Sequence, residues 1–422
     1  MIKHLRWYIC GLLMLATTIN YLDRQTLSVA APIIREKFNM SRVDYSRIAD
    51  AFLLAYAIMH PISGRILDWL GTRAGFALAV TWWSIANVLH AFAGSVFSFR
   101  AFRFLLGIGE SGNFPGAIKT ISEWFPARER AFATGVMNVG AGAGAVIAPP
   151  LVGWLIIRFG WQAAFVVTGL TGFLWLALWL WLYHPPGSHP RLTAEERDLI
   201  LLGQEADTNN DAPTVAQARG AWKEALSKPS IWALMAARFI SDPVWFFYLF
   251  WLPDYLYTVR HFNLAEIAMF AWMPYLAADF GSLFGGAMSS LFSRLGFRVL
   301  TARKLAMCIS AAMMPAAIFA VHADSPYVAL FFISIATTAH QSWAAGVLTL
   351  PADLVPQRAV GSAYGFTGMA GIFGAFLFTR AVGSMVDSMG YVPVFTIVGF
   401  LHPLAALVVV LFVRTRRTGE SQ

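Results

Sequence analysis

Twelve apolar stretches constrain this chain more than any other feature. They lie near residues 7–30, 48–68, 74–95, 98–121, 131–156, 162–183, 231–257, 264–291, 304–321, 327–350, 360–383 and 392–413. About twenty apolar residues in a helix cross the roughly 30 Å hydrocarbon layer of a bilayer. The rest of the composition agrees: 58% of residues are hydrophobic and 13% charged, against about 25% charged in a soluble domain. A chain this apolar cannot cover a water-facing surface, but it can face lipid. A cytosolic enzyme, a secreted disulfide scaffold and a disordered chain are excluded. Polar Asn20, Asp23 and Arg24 inside the first stretch argue against a cleaved signal peptide.

The expected fold is therefore an all-α integral membrane bundle. The one long polar stretch runs from His184 to Pro229 and includes Pro185-Pro186-Gly187 and Asp207-Thr208-Asn209-Asn210-Asp211. It divides the chain into a six-span bundle at 1–184, a linker at 185–229 with room for one surface helix, and a second six-span bundle at 230–422. Most of the 31 Lys and Arg fall on the termini and the loops after even-numbered spans, while the first loop holds Arg35, Lys37, Arg42 and Arg47. The positive-inside rule then places both termini and the linker in the cytoplasm. The net charge of +8 is explained by those loops, and no nucleic-acid partner is expected. Cys10 and Cys308 both lie in apolar stretches, and no metal-ligand spacing is present.

The halves repeat. Pro126, Arg128, Ala133, Gly135, Gly144, Val152, Gly153 and Gly160 recur 230 positions later as Pro356, Arg358, Ala363, Gly365, Gly374, Val382, Gly383 and Gly390. A second echo links Gly64 through Asp68 to Gly71 with Gly286 through Ser290 to Gly296. Two halves in the same orientation form a parallel repeat, an arrangement that in transporters places the substrate near the midplane.

The segment Gly64 to Arg73, GRILDWLGTR, resembles the loop signature of the major facilitator superfamily. The resemblance implies twelve helices in two pseudo-symmetric bundles. It also implies a conformational latch in which Gly64 and Gly71 shape the turn, Asp68 meets a helix end, and Arg65 or Arg73 meets cytoplasmic charge. The second copy has Ser290 where an acid is usual. Within that superfamily, several stretches are similar to the anion:cation symporter family: Asn20-Tyr-Leu-Asp-Arg24, Arg103 through Glu110 to Pro115, and Ser122 to Arg130. Leu192 to Asp198, Glu266 to Pro274 and Ala339-His-Gln341 resemble its hexuronate branch.

Ionisable groups inside spans cost roughly 2.5–3.5 kcal/mol each near mid-helix, so each needs a partner, a water path or a function. The chain keeps Asp23, Arg24, Arg103, Glu110, Arg238, Asp242, Asp279 and Arg380. The resemblance makes Asp23 and Glu110 proton-coupling acids and Arg24 the anchor of an anionic substrate, since a guanidinium fork suits a carboxylate. Arg103, two helical turns from Glu110, is expected to hold an acid of span 1. Tyr21 and Tyr56 are expected to contact substrate. Related aldonate carriers have a substrate-binding Gln in span 5; Ala141 takes that position here, leaving Asn138 to supply the amide.

In the second half, Arg238 either faces the substrate or pairs with Asp242 at i,i+4. Trp245, the cluster His340, Gln341 and Trp343, and Thr367 complete the candidate set. Asp242, Asp279 and Arg380 receive no assigned roles.

These residues suggest a monomeric secondary transporter of a bacterial inner membrane, importing a sugar acid such as glucuronate or galacturonate with a proton by alternating access. The partners are a small organic anion and the bilayer, and no cofactor beyond the coupling proton is expected. The alternatives are an organic-anion exchanger in the organophosphate style, an aldonate symporter, or a membrane-embedded enzyme or sensor. No H-E-x-x-H, G-x-S-x-G or P-loop supports an enzyme.

Overall fold

The computed structural model describes residues 4–200, 223, 225–355 and 357–414. Its helices follow the expected spans. Span 1 is Leu5–Lys37, span 2 Arg42–Leu70, span 3 Thr72–Leu89, span 5 Ala127–Phe159 and span 6 Trp161–Leu182. Span 4 is two helices, Val96–Glu110 and Asn113–Trp124, broken at Ser111–Gly112. Span 7 is Pro229–Ser241 and Pro243–Thr258; span 8 is Leu264–Phe270 and Met273–Arg294. Span 9 is Val299–Met313 and Ala316–His322, and span 10 is Pro326–Val347 followed by Leu350–Leu354. Span 11 is Gln357–Met389 and span 12 Tyr391–Phe412. Among the described residues, eight of these rods are long and apolar enough to cross a membrane by length and composition. Spans 1, 2, 4 and 10 are not among those eight.

Spans 1 and 2 are longer than their apolar stretches because their charged ends are also helical. Ser41 starts span 2 with a capping box: its hydroxyl accepts the Asp44 amide and the Asp44 carboxylate accepts the Ser41 amide. Two otherwise orphaned donors are thereby satisfied. Span 7 breaks where the sequence places Pro243, which opens the second helix at the position where a missing N–H is harmless.

The chain forms two compact units. One is Met1–Ala212 with Leu252–Trp272, and the other is Pro213–Trp251 with Met273–Gln422. Most of the expected linker lies outside the described residues, including Asp207 to Asp211. Its described part includes a short turn of helix at Pro186–Ser188 and a helical segment at 194–200. There the Glu196 carboxylate accepts the Leu5 and Arg6 backbone amides at 2.9 and 3.2 Å and the Arg6 guanidinium at 2.8 Å. A carboxylate at a helix N-terminus meets free N–H groups and the positive end of the dipole, so Glu196 caps span 1.

In the first unit, span 1 packs on span 5, span 2 on span 4, and span 3 on span 6. The second unit pairs span 7 with span 11, span 8 with span 10, and span 9 with span 12. That correspondence gives the sequence repeat its physical meaning. A Cβ on Gly144 would sit 2.4 Å from the Thr18 carbonyl oxygen, and one on its echo Gly374 would sit 2.1 Å from the Phe239 carbonyl oxygen. Both glycines let two backbones touch. Gly160 and Gly390 repeat for another reason: at φ of 85° and 73° they end spans 5 and 11 in a conformation that side chains disfavour. The core of the second unit gathers Leu234, Trp343, Val347, Leu350 and Val409.

Candidate functional site

Four buried ionisable residues meet in the first unit. Arg24 donates from Nε to Glu110 Oε2 at 2.9 Å, and its Nη2 lies 2.9 Å from the same oxygen and 3.2 Å from Asn20 Oδ1. The side chains of Arg24 and Glu110 are 3% and 0% exposed, so the pair is fully inside the protein. Three aromatic rings enclose the guanidinium: Tyr21 at 4.7 Å, Phe52 at 5.0 Å and Tyr56 at 5.1 Å from its carbon. Cation–π contacts of this kind strengthen when desolvated. Tyr56 in turn stacks on Phe52 with centroids 5.6 Å apart.

Arg103 donates through Nη2 to the backbone carbonyl of Arg24 at 2.7 Å, and its guanidinium also lies over Phe52 at 4.9 Å. The acid of span 1, Asp23, is fully buried and accepts from Asn87 Nδ2 of span 3 at 2.7 Å. Asn87 also reaches the Thr168 hydroxyl of span 6 at 2.8 Å and the Phe165 carbonyl at 3.3 Å. Each acid has a second oxygen, Asp23 Oδ2 and Glu110 Oε1, that is buried with no hydrogen-bond partner. With Asn87 Oδ1, those two oxygens are free acceptor sites within the cluster.

The break in span 4 places this chemistry. The first helix ends at Glu110, and Ser63 Oγ donates to the freed Ser111 carbonyl at 3.1 Å. Asn113 then opens the next helix and donates to Thr17 Oγ1 at 3.2 Å.

The second unit holds a different set. Arg238 grips Asp242 with Nε at 2.9 Å and Nη2 at 2.8 Å from Oδ2, the i,i+4 pair of the two readings. Its guanidinium also lies 5.9 Å from the Tyr364 ring. Trp245 stacks on His340 at 5.6 Å with the rings 10° from parallel. His340 Nδ1 lies 3.1 Å from His402 Nε2 of span 12. Trp343 is buried and donates to Ser241 Oγ at 3.1 Å, while the neighbouring Ser342 and Ser310 hydroxyls bond at 2.6 Å. Thr367 is buried and donates to the Tyr364 carbonyl at 3.1 Å. Gln341 is half-buried.

Other sequence-derived candidates land elsewhere. Asn138 is exposed on span 5, outside the Arg24 cluster. Asp279 is half-buried and Arg380 exposed. Of the expected latch, the side chains of Arg65 and Asp68 lie outside the described residues. Gly64 is half-buried in span 2, and Gly71 turns the chain into span 3 at φ 77°. Arg73 donates to the Leu180 carbonyl near the end of span 6, where the helix dipole favours a cation.

Sequence reasoning missed three partners. Asn87 and His402 are neutral polar residues within apolar runs, and their positions in those runs were the available signal. Asp254 lies in the Leu252–Trp272 segment of the first unit; it is fully buried and bonds Arg35 and, at 3.2 Å, Arg42 Nε.

A polytopic helical bundle that keeps paired charges and aromatic-stacked polar groups inside its apolar interior defines a membrane carrier of polar solutes. The chain belongs to the Major Facilitator Superfamily, whose model matches residues 13–379. It is 38% identical to the hexuronate transporter of Escherichia coli K12 over 409 residues, covering 97% of this chain and 94% of that protein. It is 39% identical to the galacturonate transporter of Dickeya chrysanthemi over 333 residues, 78% of this chain and 94% of that one. Among solved structures, a bacterial homologue of the human lysosomal transporter Spinster matches with a TM-score of 0.76 and 20% identity, over 98% of this chain and 96% of that one. A D-xylose–proton symporter matches with a TM-score of 0.75 and 16% identity, over 97% and 98%. These structures establish the fold. The chain is a membrane transporter and not an enzyme.

Proposed function

We propose that this protein is a monomeric proton-coupled symporter that brings a sugar acid, a hexuronate such as glucuronate or galacturonate, into the cell across a bacterial inner membrane by alternating access. Both termini are cytoplasmic in this reading, as the distribution of Lys and Arg requires. The substrate class rests on similarity to the hexuronate and galacturonate transporters. The coupling rests on one observation: the buried Glu110 carboxylate is gripped by Arg24, whose guanidinium is the side chain best suited to hold a carboxylate.

The two roles of Arg24 exclude each other. With Glu110 ionised, Arg24 is engaged and a substrate anion gains little by entering. A proton arriving on Glu110 Oε1, which has no partner, cancels the charge that holds the guanidinium. Arg24 is then free to take the substrate carboxylate bidentately, with Tyr21 and Tyr56 offering ring faces and hydroxyls to the sugar. Asp23, tied to Asn87 and Thr168, is a second proton position, and Arg103 fixes the backbone of span 1 at Arg24. Arg238, Trp245, His340, Gln341, Trp343 and Thr367 form the candidate substrate set of the second unit, and Asn138 is an accessory contact. Gly64, Gly71 and Arg73, with Arg65 and Asp68, make up the latch.

The test is uptake of labelled glucuronate, galacturonate and galactonate into proteoliposomes, with and without an inward proton gradient. Gradient-driven accumulation of a hexuronate is expected. Asp23→Asn and Glu110→Gln should each abolish uphill uptake while exchange persists. Undiminished uphill uptake in both variants would refute the coupling, and transport only against preloaded anion would make the protein an exchanger.

A further inference from the structure

His402 is a fully buried ionisable group that the transport reading does not use. It sits in span 12 just before Pro403, with no exposed surface. Its ring meets the edge of Trp343 at 5.5 Å and that of His340 at 5.1 Å, each at 76°. The Nε2 to Nδ1 distance of 3.1 Å to His340 is a hydrogen bond. Two imidazoles joined this way share one bridging proton, so one ring donates and the other accepts.

The direction follows from the far nitrogen. His402 Nδ1 is buried and has no partner. A buried N–H left without an acceptor is the rarer and costlier defect, whereas an idle lone pair is better tolerated. The proton of His402 therefore sits on Nε2 and is donated to His340 Nδ1. With Nδ1 accepting, His340 must carry its own proton on Nε2. The other sources of polarity nearby do not compete for this proton. Arg238 of span 7 is held by Asp242, Trp343 donates to Ser241, and Ser310 and Ser342 of spans 9 and 10 bond each other.

We propose that His402 is a positioning residue that locks His340 in the Nε2–H tautomer, so that span 10 presents a fixed N–H donor beside the Trp245 face to an oxygen of the substrate. His340 retains 5% exposure where His402 has none, and its Nε2 is the nitrogen left for a ligand. Trp245, stacked parallel to the imidazole, holds the ring plane, and His402 sets which nitrogen donates. The identity of the ligand rests on the sugar-acid reading above, but the tautomer does not.

Two variants separate positioning from packing. In His402→Gln the amide N–H reaches about as far as Nε2 and still donates; in His402→Leu nothing donates. For transport of a hexuronate, His402→Leu should raise KM roughly tenfold with little change in Vmax, the size of one ordinary hydrogen bond to the substrate. His402→Gln should stay within about threefold of the parent, since its donor is kept. Solid-state NMR of the histidine-labelled protein in lipid, with His340→Gln to assign the resonance, should show His340 protonated at Nε2 in the parent and in His402→Gln but not in His402→Leu. An Nδ1–H tautomer in the parent would overturn the proposal. So would an unchanged KM in His402→Leu, or equal losses of Vmax in both variants. If the parent transports none of the three sugar acids, the substrate reading fails while the NMR result still decides the tautomer.

Discussion

Glu110→Gln removes one charge from a buried pair and keeps side-chain volume and one acceptor oxygen. What remains is the Arg24 guanidinium, 3% exposed, with a second guanidinium, Arg103, bonded to its own carbonyl at 2.7 Å. Breaking a buried pair by removing one partner costs about 3–5 kcal/mol, chiefly because an uncompensated charge stays buried. Arg24→Gln leaves a lone carboxylate instead, and a carboxylate can neutralise itself by taking a proton whereas a guanidinium cannot. The two single variants are therefore unequal. Glu110→Gln should lose about 3–5 kcal/mol and Arg24→Gln less than that, about 1–3 kcal/mol. The double variant Arg24→Gln with Glu110→Gln carries neither charge and should recover to within about 1 kcal/mol of the parent, a coupling far outside additivity. The assay is reversible unfolding of the detergent-solubilised protein, followed by tryptophan fluorescence across the four-member cycle. Additive losses in the double variant, or a larger loss for Arg24→Gln than for Glu110→Gln, would refute the pairing as the source of stability.

Asn87→Leu strips the donor from Asp23 and the partner from Thr168. It should cost about 1–3 kcal/mol, read by the same unfolding assay. Gly144→Ala and Gly374→Ala should each lose about 1–3 kcal/mol, since their new methyl groups would overlap the Thr18 and Phe239 carbonyls. Gly135→Ala, whose Cβ meets nothing within 4 Å, is the control that should stay near neutral. Glu196→Gln keeps an acceptor for the span 1 amides but loses the ion pair with Arg6. It should destabilise by about 1 kcal/mol, with Glu196→Ala costing about twice as much, as measured by thermal unfolding.

The positions of the spans were legible because bilayer thickness sets a length, and a length can be counted along a sequence. Their ends were not. Lys37 and Arg42 read as loop, yet both are helical, since a cap such as Ser41–Asp44 extends a helix past its apolar stretch. The break at Ser111–Gly112 was equally hidden, because a glycine-rich run serves close packing and helix termination alike. Within the site, Asp23, Arg24, Arg103 and Glu110 stood out by their insertion cost alone. The pairing among them was not legible: helical spacing orders residues along one rod, but the approach of span 1 to span 4 decides that Arg24 meets Glu110. Asn87 and His402 escaped notice because neutral polar groups stand out far less than charges on a hydropathy scale. Asp254 escaped because an acid near a span end reads as interfacial.

Four spans, 1, 2, 4 and 10, stand apart from the eight long apolar rods among the described residues. Spans 1, 4 and 10 hold Asn20, Asp23, Arg24, Arg103, Glu110, His340 and Gln341, and span 2 supplies the Phe52 and Tyr56 rings against which Arg24 packs. A buried ion pair is often neutral or better when replaced by apolar residues of the same shape, so stability alone would not retain Arg24 and Glu110 in a lipid-facing bundle. Under the proposed function, the polar groups of these spans are a cost concentrated where the protein would bind and release charge. Among the eight more apolar rods, span 7 keeps a pair of its own, Arg238 with Asp242. The recurring glycines, Gly144 of span 5 against span 1 and Gly374 of span 11 against span 7, seat the two helices that carry Arg24 and Arg238 in backbone contact with their neighbours.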